Sequence, residues 1–139
     1  MDNPLPSAIS AAIDGYPEPA RAQFMALRAR LHEIAGAIAG TGGLTETLKW
    51  GEPSFAPVKG RVGTPVRLAW KAARPDAISL FVNCQTSLVE TWRAQYPELE
   101  FVGNRELIIP LSGAIPPDIA ACMRDALTYH LRKAGHPTV

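Results

Sequence analysis

Cysteine is scarce in this chain, with two among 139 residues, Cys84 and Cys122. Two thiols at this length make no disulfide framework, which excludes a small stapled secreted fold and reads as a cytosolic, reduced protein. An excess of charge of either sign is also lacking. Fourteen Lys and Arg stand against thirteen Asp and Glu, a net charge of +1. That balance excludes a dedicated nucleic-acid binder and a strongly acidic tail. No apolar run approaches the roughly 20 residues needed to span a bilayer. The opening "MDNPLPSAIS" has neither the basic start nor the apolar stretch of a signal peptide. Spacings of the HxxxH, HExxH and CxxC kind do not occur, nor do GxGxxG, GxxxxGK[ST] or GxSxG. No metal, cofactor or common hydrolase site is therefore signalled.

What is present is an ordinary globular balance, 47% apolar and 19% charged. A domain of this size buries roughly 70% of its unfolded surface, enough for a core without staples. Ala20, Phe24, Leu27, Leu31, Ile34 and Ile38 recur at spacings of three and four, which predicts an amphipathic helix over 18–38. Pro17 and Pro19 suit its first turn, and Gly40, Gly42 and Gly43 stop it. "LTETLKW" alternates with period two and predicts a strand, with Leu44, Glu46, Leu48 and Trp50 on one side. A loop rich in Gly and Pro follows, with room for a short strand at 54–58. "VRLAWKA" and "AISLFVN" predict a hairpin, with Arg67 and Lys71 on the face opposite Trp70. Ser87 and Glu90 form the pattern of a capping box before a helix buried through Leu88, Trp92 and Tyr96. "LEFVGNRELIIPL" predicts a second hairpin, and Pro116, Pro117 and Asp118 open a last helix.

Clean βαβ alternation is missing. The expected class is α+β, one domain with a mostly antiparallel sheet covered by N-terminal, middle and C-terminal helices. Residues 1–15 read as a lead-in, 16–135 as the domain and 136–139 as a tail.

Three stretches, "YPEPARAQFMALRARLHEIA", "LKWGEPSF" and "RELIIPL", carry a further signal. In this order and context the chain resembles the YdhG-like family of small bacterial domains of unknown function. The likeness runs over about residues 16–133, and Trp50-Gly51-x-Pro53-x-Phe55 is its most specific piece. The resemblance implies a curved antiparallel sheet of the kind compared with frataxin. It implies no established catalytic residues. Some members are described as iron chaperones, a role that calls for gathered acidic residues. The first long helix offers only Glu18 and Glu33, fifteen residues apart.

The candidate site is the stretch Trp50, Glu52, Pro53 and Phe55. Gly51 permits an unusual backbone shape and Pro53 holds Glu52 extended. Trp50 and Phe55 then read either as a pocket wall with Glu52 as a polar contact, or as a strand end whose aromatics fill the core. Residues 56–76 carry Lys59, Arg61, Lys71, Arg67 and Arg74 against Asp76, an excess of four. Arg67 and Lys71 therefore read as an anion-binding rim, or as a solvated hairpin face guarded by charge. Cys84 precedes the Ser87 helix, where a thiol is either activated or a small core residue. His32 reads as a surface histidine, and Glu98, Glu100 and Glu106 as a solvated strand face or a weak cation site. These readings lead to a non-enzymatic cytosolic binding domain whose partner is a small anionic or aromatic molecule or a protein. Frataxin-like iron binding is the alternative, and edge strands leave a homodimer open.

Overall fold

The computed structural model describes residues 3–133. Four consecutive antiparallel strands form a meander: β1 (Leu44–Lys49), β2 (Glu52–Pro57), β3 (Val66–Lys71) and β4 (Arg74–Phe81). Two more, β5 (Glu100–Val102) and β6 (Glu106–Pro110), join so that the order is β1-β2-β3-β4-β6-β5. All pairings are antiparallel, and the sheet is curved. The helices described are α1 (Ser7–Ile13), α2 (Glu18–Ala37), α3 (Leu88–Gln95), α4 (Pro117–Leu127) and α5 (Tyr129–Lys133). The class is α+β in a single domain, as the order of elements predicts. No helix among the described residues is long and apolar enough to cross a membrane.

The period-two pattern of the strands divides the sheet. Phe55, Val66, Leu68, Ile78, Leu80, Leu107 and Ile109 point to one side and are 0% exposed. There they share a core with Phe24, Leu27 and Leu31 of α2 and Ile119, Met123 and Leu127 of α4. Burying that much apolar surface is the main force holding helices to sheet. Gln23 adds a polar tie, its Nε2 donating to the Pro110 carbonyl at 3.0 Å. Among the described residues, no helix contributes to the other side. Ser54, Ala69, Ala77, Ser79, Phe81 and Ile108 lie there, almost fully buried yet outside the main core. The Phe81 ring there is covered by charged side chains of the neighbouring strand, Arg67 and Lys71 of β3.

Several local expectations change. The lead-in is part of the domain: Ile9 and Ile13 of α1 are 0% and 2% exposed and belong to the core. The loop after Trp50 is a full strand, β2, paired residue for residue with β1 from Leu44↔Pro57 to Lys49↔Glu52. The capping box does not form, because Ser87 makes no side-chain cap bond. Asn83 Oδ1 instead accepts from the Gln85 N–H at 2.8 Å and shapes the turn before α3. The last helix breaks at Thr128, whose hydroxyl donates back to the Arg124 carbonyl at 2.8 Å, a bond that competes with regular helix. The tail at 136–139 lies outside the described residues.

The break at Thr128 serves the loop between β2 and β3. His130 N–H donates to the Val62 carbonyl at 3.1 Å, and Thr64 N–H to the Ala126 carbonyl at 2.9 Å. Between them Gly63 runs so close to α4 that a Cβ there would stand 2.1 Å from the Leu127 carbonyl oxygen. Only glycine fits. A second irregularity lies in β3, where the register shifts between Ala69 and Lys71. The Trp70 N–H donates to Tyr16 Oη at 3.2 Å, and the Tyr16 ring packs 5.8 Å from the indole. Burial pushes the Tyr16 hydroxyl above its ordinary pKa, the Trp70 N–H opposes this in part, and the Glu52 charge reinforces it.

Candidate ligand groove

Lys49 and Glu52 pair across the tip of the β1–β2 hairpin, so Trp50 and Gly51 are the whole turn. Both have positive φ, 57° for Trp50 and 76° for Gly51. Two left-handed residues in a two-residue hairpin make a type I′ turn, which matches the twist of the strands and favours Asn-Gly or Asp-Gly. Gly51 is suited to it. Trp50 is not, because its Cβ crowds the backbone there. It is the one non-glycine residue with positive φ among those described. It also packs on almost nothing, with 90% of its surface exposed. The fold therefore holds a large aromatic in a strained conformation without burying it.

Below the turn, on the helix-free side, lies a groove of about 240 Å³. Lys49 and Trp50 line it with Ser54 of β2, Arg67 of β3 and Phe81 of β4. Arg105 of the β5–β6 turn, Cys84 and Asn83 line it too, as do Thr64 and Pro65, which Gly63 sets in place. Four chain segments thus converge on one depression.

The charged groups of the groove fall into two sets. Glu52 accepts from Arg67 Nη1 at 2.7 Å and lies 3.1 Å from Lys71 Nζ, with only 16% of its side chain exposed. It is a bridging carboxylate, where the sequence suggests a free loop contact. The Arg67 guanidinium and Lys71 ammonium lie 4.9 and 5.1 Å from the Phe81 centroid, within cation–π range. Lys49 and Arg105, by contrast, are exposed and make no ion pair among the described residues. The Ser54 hydroxyl is the one buried side-chain polar atom described that has no hydrogen-bond partner.

The candidate residues of the sequence separate accordingly. Trp50 and Arg67 line the groove. Glu52 and Lys71 stand behind Arg67 as its electrostatic frame. Pro53 and Phe55 are buried, and Phe55 packs under the helices, 6.2 Å from the Phe24 ring and 6.4 Å from His32. Phe55 is core and cannot be a wall of the groove. Cys84 is exposed at the groove and is not a core residue, while Cys122 is the buried thiol, pushed up to about 12 by burial, with Asp125 and Asp118 adding to the effect.

His32 is a correction of another kind. Only 10% of its side chain is exposed, and its Nε2 lies 3.1 Å from Glu46 Oε2. Arg28, one helical turn earlier, donates to both Glu46 oxygens at 2.7 Å and to the Pro4 carbonyl at 3.0 Å. Burial would raise the Glu46 pKa, but the Arg28 bond and charge and the His32 contact outweigh it, and the pKa is lowered. A larger depression of 820 Å³ lies beside this cluster, lined by Arg28, His32 and Gly42 among others. Arg28 and His32 there are already spent on Glu46, so the smaller groove is the better candidate. The carboxylates Glu98, Glu100 and Glu106 do not converge. Glu98 hydrogen-bonds Asp118, which lowers its own pKa and raises that of Asp118. Glu100 lies 3.5 Å from Arg74, and Glu106 accepts from the Ser79 hydroxyl at 2.6 Å. Among the described residues no three His, Cys, Asp or Glu gather as for a metal ion.

No protein-family model, curated protein or solved structure matches this chain.

The sequence did not single out Lys49, Ser54, Phe81 and Arg105. The available signal was the alternation in β2, which puts Ser54 opposite Phe55, and the "WG" dipeptide, which has the glycine of a type I′ turn in its second position.

Proposed function

We propose that this protein is a non-enzymatic binding domain that holds a small molecule in the groove beneath the Trp50 turn. The observation that carries the reading is Trp50 itself. A residue kept strained and 90% exposed does nothing for the fold, and such strain persists where function requires it. An indole on a stiff hairpin tip is a platform for a flat ligand, and the cations below it favour an anion. Cys84 lines the groove, but no histidine lies among the lining residues to serve as its base, which favours binding over thiol catalysis.

On this reading Trp50-Gly51-x-Pro53-x-Phe55, which carries the resemblance to the YdhG-like family, is one device. Trp50 meets the ligand, Gly51 closes the turn, and the buried Pro53 and Phe55 anchor the hairpin. The exposed free thiol of Cys84 suits a reducing cytosol.

The test is thermal unfolding against a panel of small aromatic and inorganic anions. A ligand at a hundred times its Kd stabilises by about 2.7 kcal/mol. Trp50→Ala should unfold cooperatively at the wild-type midpoint yet lose that stabilisation. An unchanged ligand response in Trp50→Ala, or no response across the panel, overturns the proposal.

A further inference from the structure

We infer that the groove is built for a dianionic phosphoryl group carried on a small, single-ring molecule; this rests on the binding role proposed above. The charge balance of the helix-free face comes first. Lys49, Arg67, Lys71, Arg74 and Arg105 stand there against Glu52, Glu100 and Glu106, and five minus three leaves an excess of two positive charges. Arg74 pairs with Glu100, and Glu52 is shared by Arg67 and Lys71, which leaves one positive charge there against Glu106; the two cations without partners are Lys49 and Arg105. A carboxylate brings one negative charge. A phosphoryl group carries about −1.5 to −2 at pH 7 and presents three strong acceptor oxygens.

The second observation is independent of charge. Ser54 is 1% exposed and lines the groove, and its buried hydroxyl has no partner. A buried hydroxyl left unpaired is unfavourable, and natural structures seldom keep one without a reason. An oxygen-rich anion in the groove supplies the missing acceptor. Lys49, Arg105 and Ser54 then offer three unpartnered donor groups to three oxygens.

Size sets the remainder. The groove's 240 Å³ is about eight times the roughly 30 Å³ that a water occupies in the liquid. A phosphoryl group and one ring beneath the Trp50 indole match that volume, which favours them over a whole nucleotide.

The probe is phenyl phosphate, compared by calorimetry at low salt with benzoate, inorganic phosphate and adenosine 5′-phosphate. Trp50 indole N–H chemical shifts report where each one binds. Phenyl phosphate is expected to bind at least tenfold more tightly than any of the other three. Lys49→Ala and Arg105→Ala should each weaken it about tenfold or more, the usual loss for a charge-assisted hydrogen bond. Ser54→Ala should weaken it several-fold while the unfolding midpoint of the free protein holds or rises, which a merely structural serine would not do. Benzoate as tight as phenyl phosphate, with Trp50 shifted by both, overturns the dianion inference and leaves the binding domain standing. Inorganic phosphate or adenosine 5′-phosphate as tight as phenyl phosphate overturns the single-ring assignment. No shift of Trp50 with any probe overturns this inference, and with the anion panel above silent as well, the binding role.

Discussion

Replacing Trp50 by Asn should make the free protein more stable, although it deletes the largest side-chain type from the hairpin. In the left-handed region an ordinary L-residue loses roughly 1–2 kcal/mol, whereas Asn tolerates it. Trp50 sits there at φ 57°. Against that stands the packing lost with the indole. A fully buried aromatic removes about 200 Å² from water, but Trp50 is 90% exposed. About a tenth of that area, ~20 Å² at ~25 cal/mol per Å², is worth about 0.5 kcal/mol. The balance is a gain of roughly 1 kcal/mol, where truncation of a buried Trp typically loses 3–5 kcal/mol. Urea unfolding followed by far-ultraviolet circular dichroism gives the comparison, since the slope should not change and only the midpoint should move. Trp70 and Trp92 remain as fluorescent reporters in the variant. A midpoint that falls by the equivalent of 1 kcal/mol would refute the reasoning, for Trp50 would then be packing on something. A raised midpoint with lost ligand binding would show a residue kept at the expense of stability.

Three further outcomes follow from the described contacts. Gly63→Ala should destabilise by about 3 kcal/mol, the upper range for overpacking, because its Cβ would meet the Leu127 carbonyl at 2.1 Å; Gly36→Ala, with open space around it, should be neutral or better in the same denaturation assay. Glu46→Ala should lose about 3 kcal/mol by stranding the buried Arg28. Because folding lowers the Glu46 pKa, its contribution is complete above the unfolded value of about 4.3 and fades as pH falls through the lower folded one; the wild-type stability curve should therefore drop more steeply below that pH than the curve of Glu46→Ala. Iodoacetamide at pH 8 should modify Cys84 in the native protein and spare Cys122, whose thiol is buried and pushed up to about 12; equal labelling by mass spectrometry would contradict the burial.

The long elements were readable because their periodicity reports a buried face directly. The α2 stripe from Ala20 to Ile34 is buried in the structure as its spacing implies. The errors fall where one residue type hides two environments. Counting Trp50 into the β1 alternation assigned it to the apolar side, although the glycine after it was the one local sign of a type I′ turn. The β2 strand was obscured by Pro53 and Pro57, which read as loop although both fit at positions paired only to the edge strand β1. His32 looked solvated from its helix alone. Its partner Glu46 lies fourteen residues on, in another element, although its place among the apolar positions of β1 was a clue. The groove draws on residues from 49 to 105, and only the strand order brings them together.

That strand order has a consequence for how the molecule is assembled. The first four strands can pair in the sequence in which they leave the ribosome, each with its predecessor. β6 cannot, because it reaches β4 across α3 and β5, over a gap of twenty-four residues between Phe81 and Glu106. Until residues 106–110 emerge, β4 is an open edge whose inner face carries Ile78 and Leu80. An unpaired apolar edge invites pairing with another chain. The nascent chain therefore passes through a stage more prone to aggregation than the finished protein, and β6 is the strand that closes it.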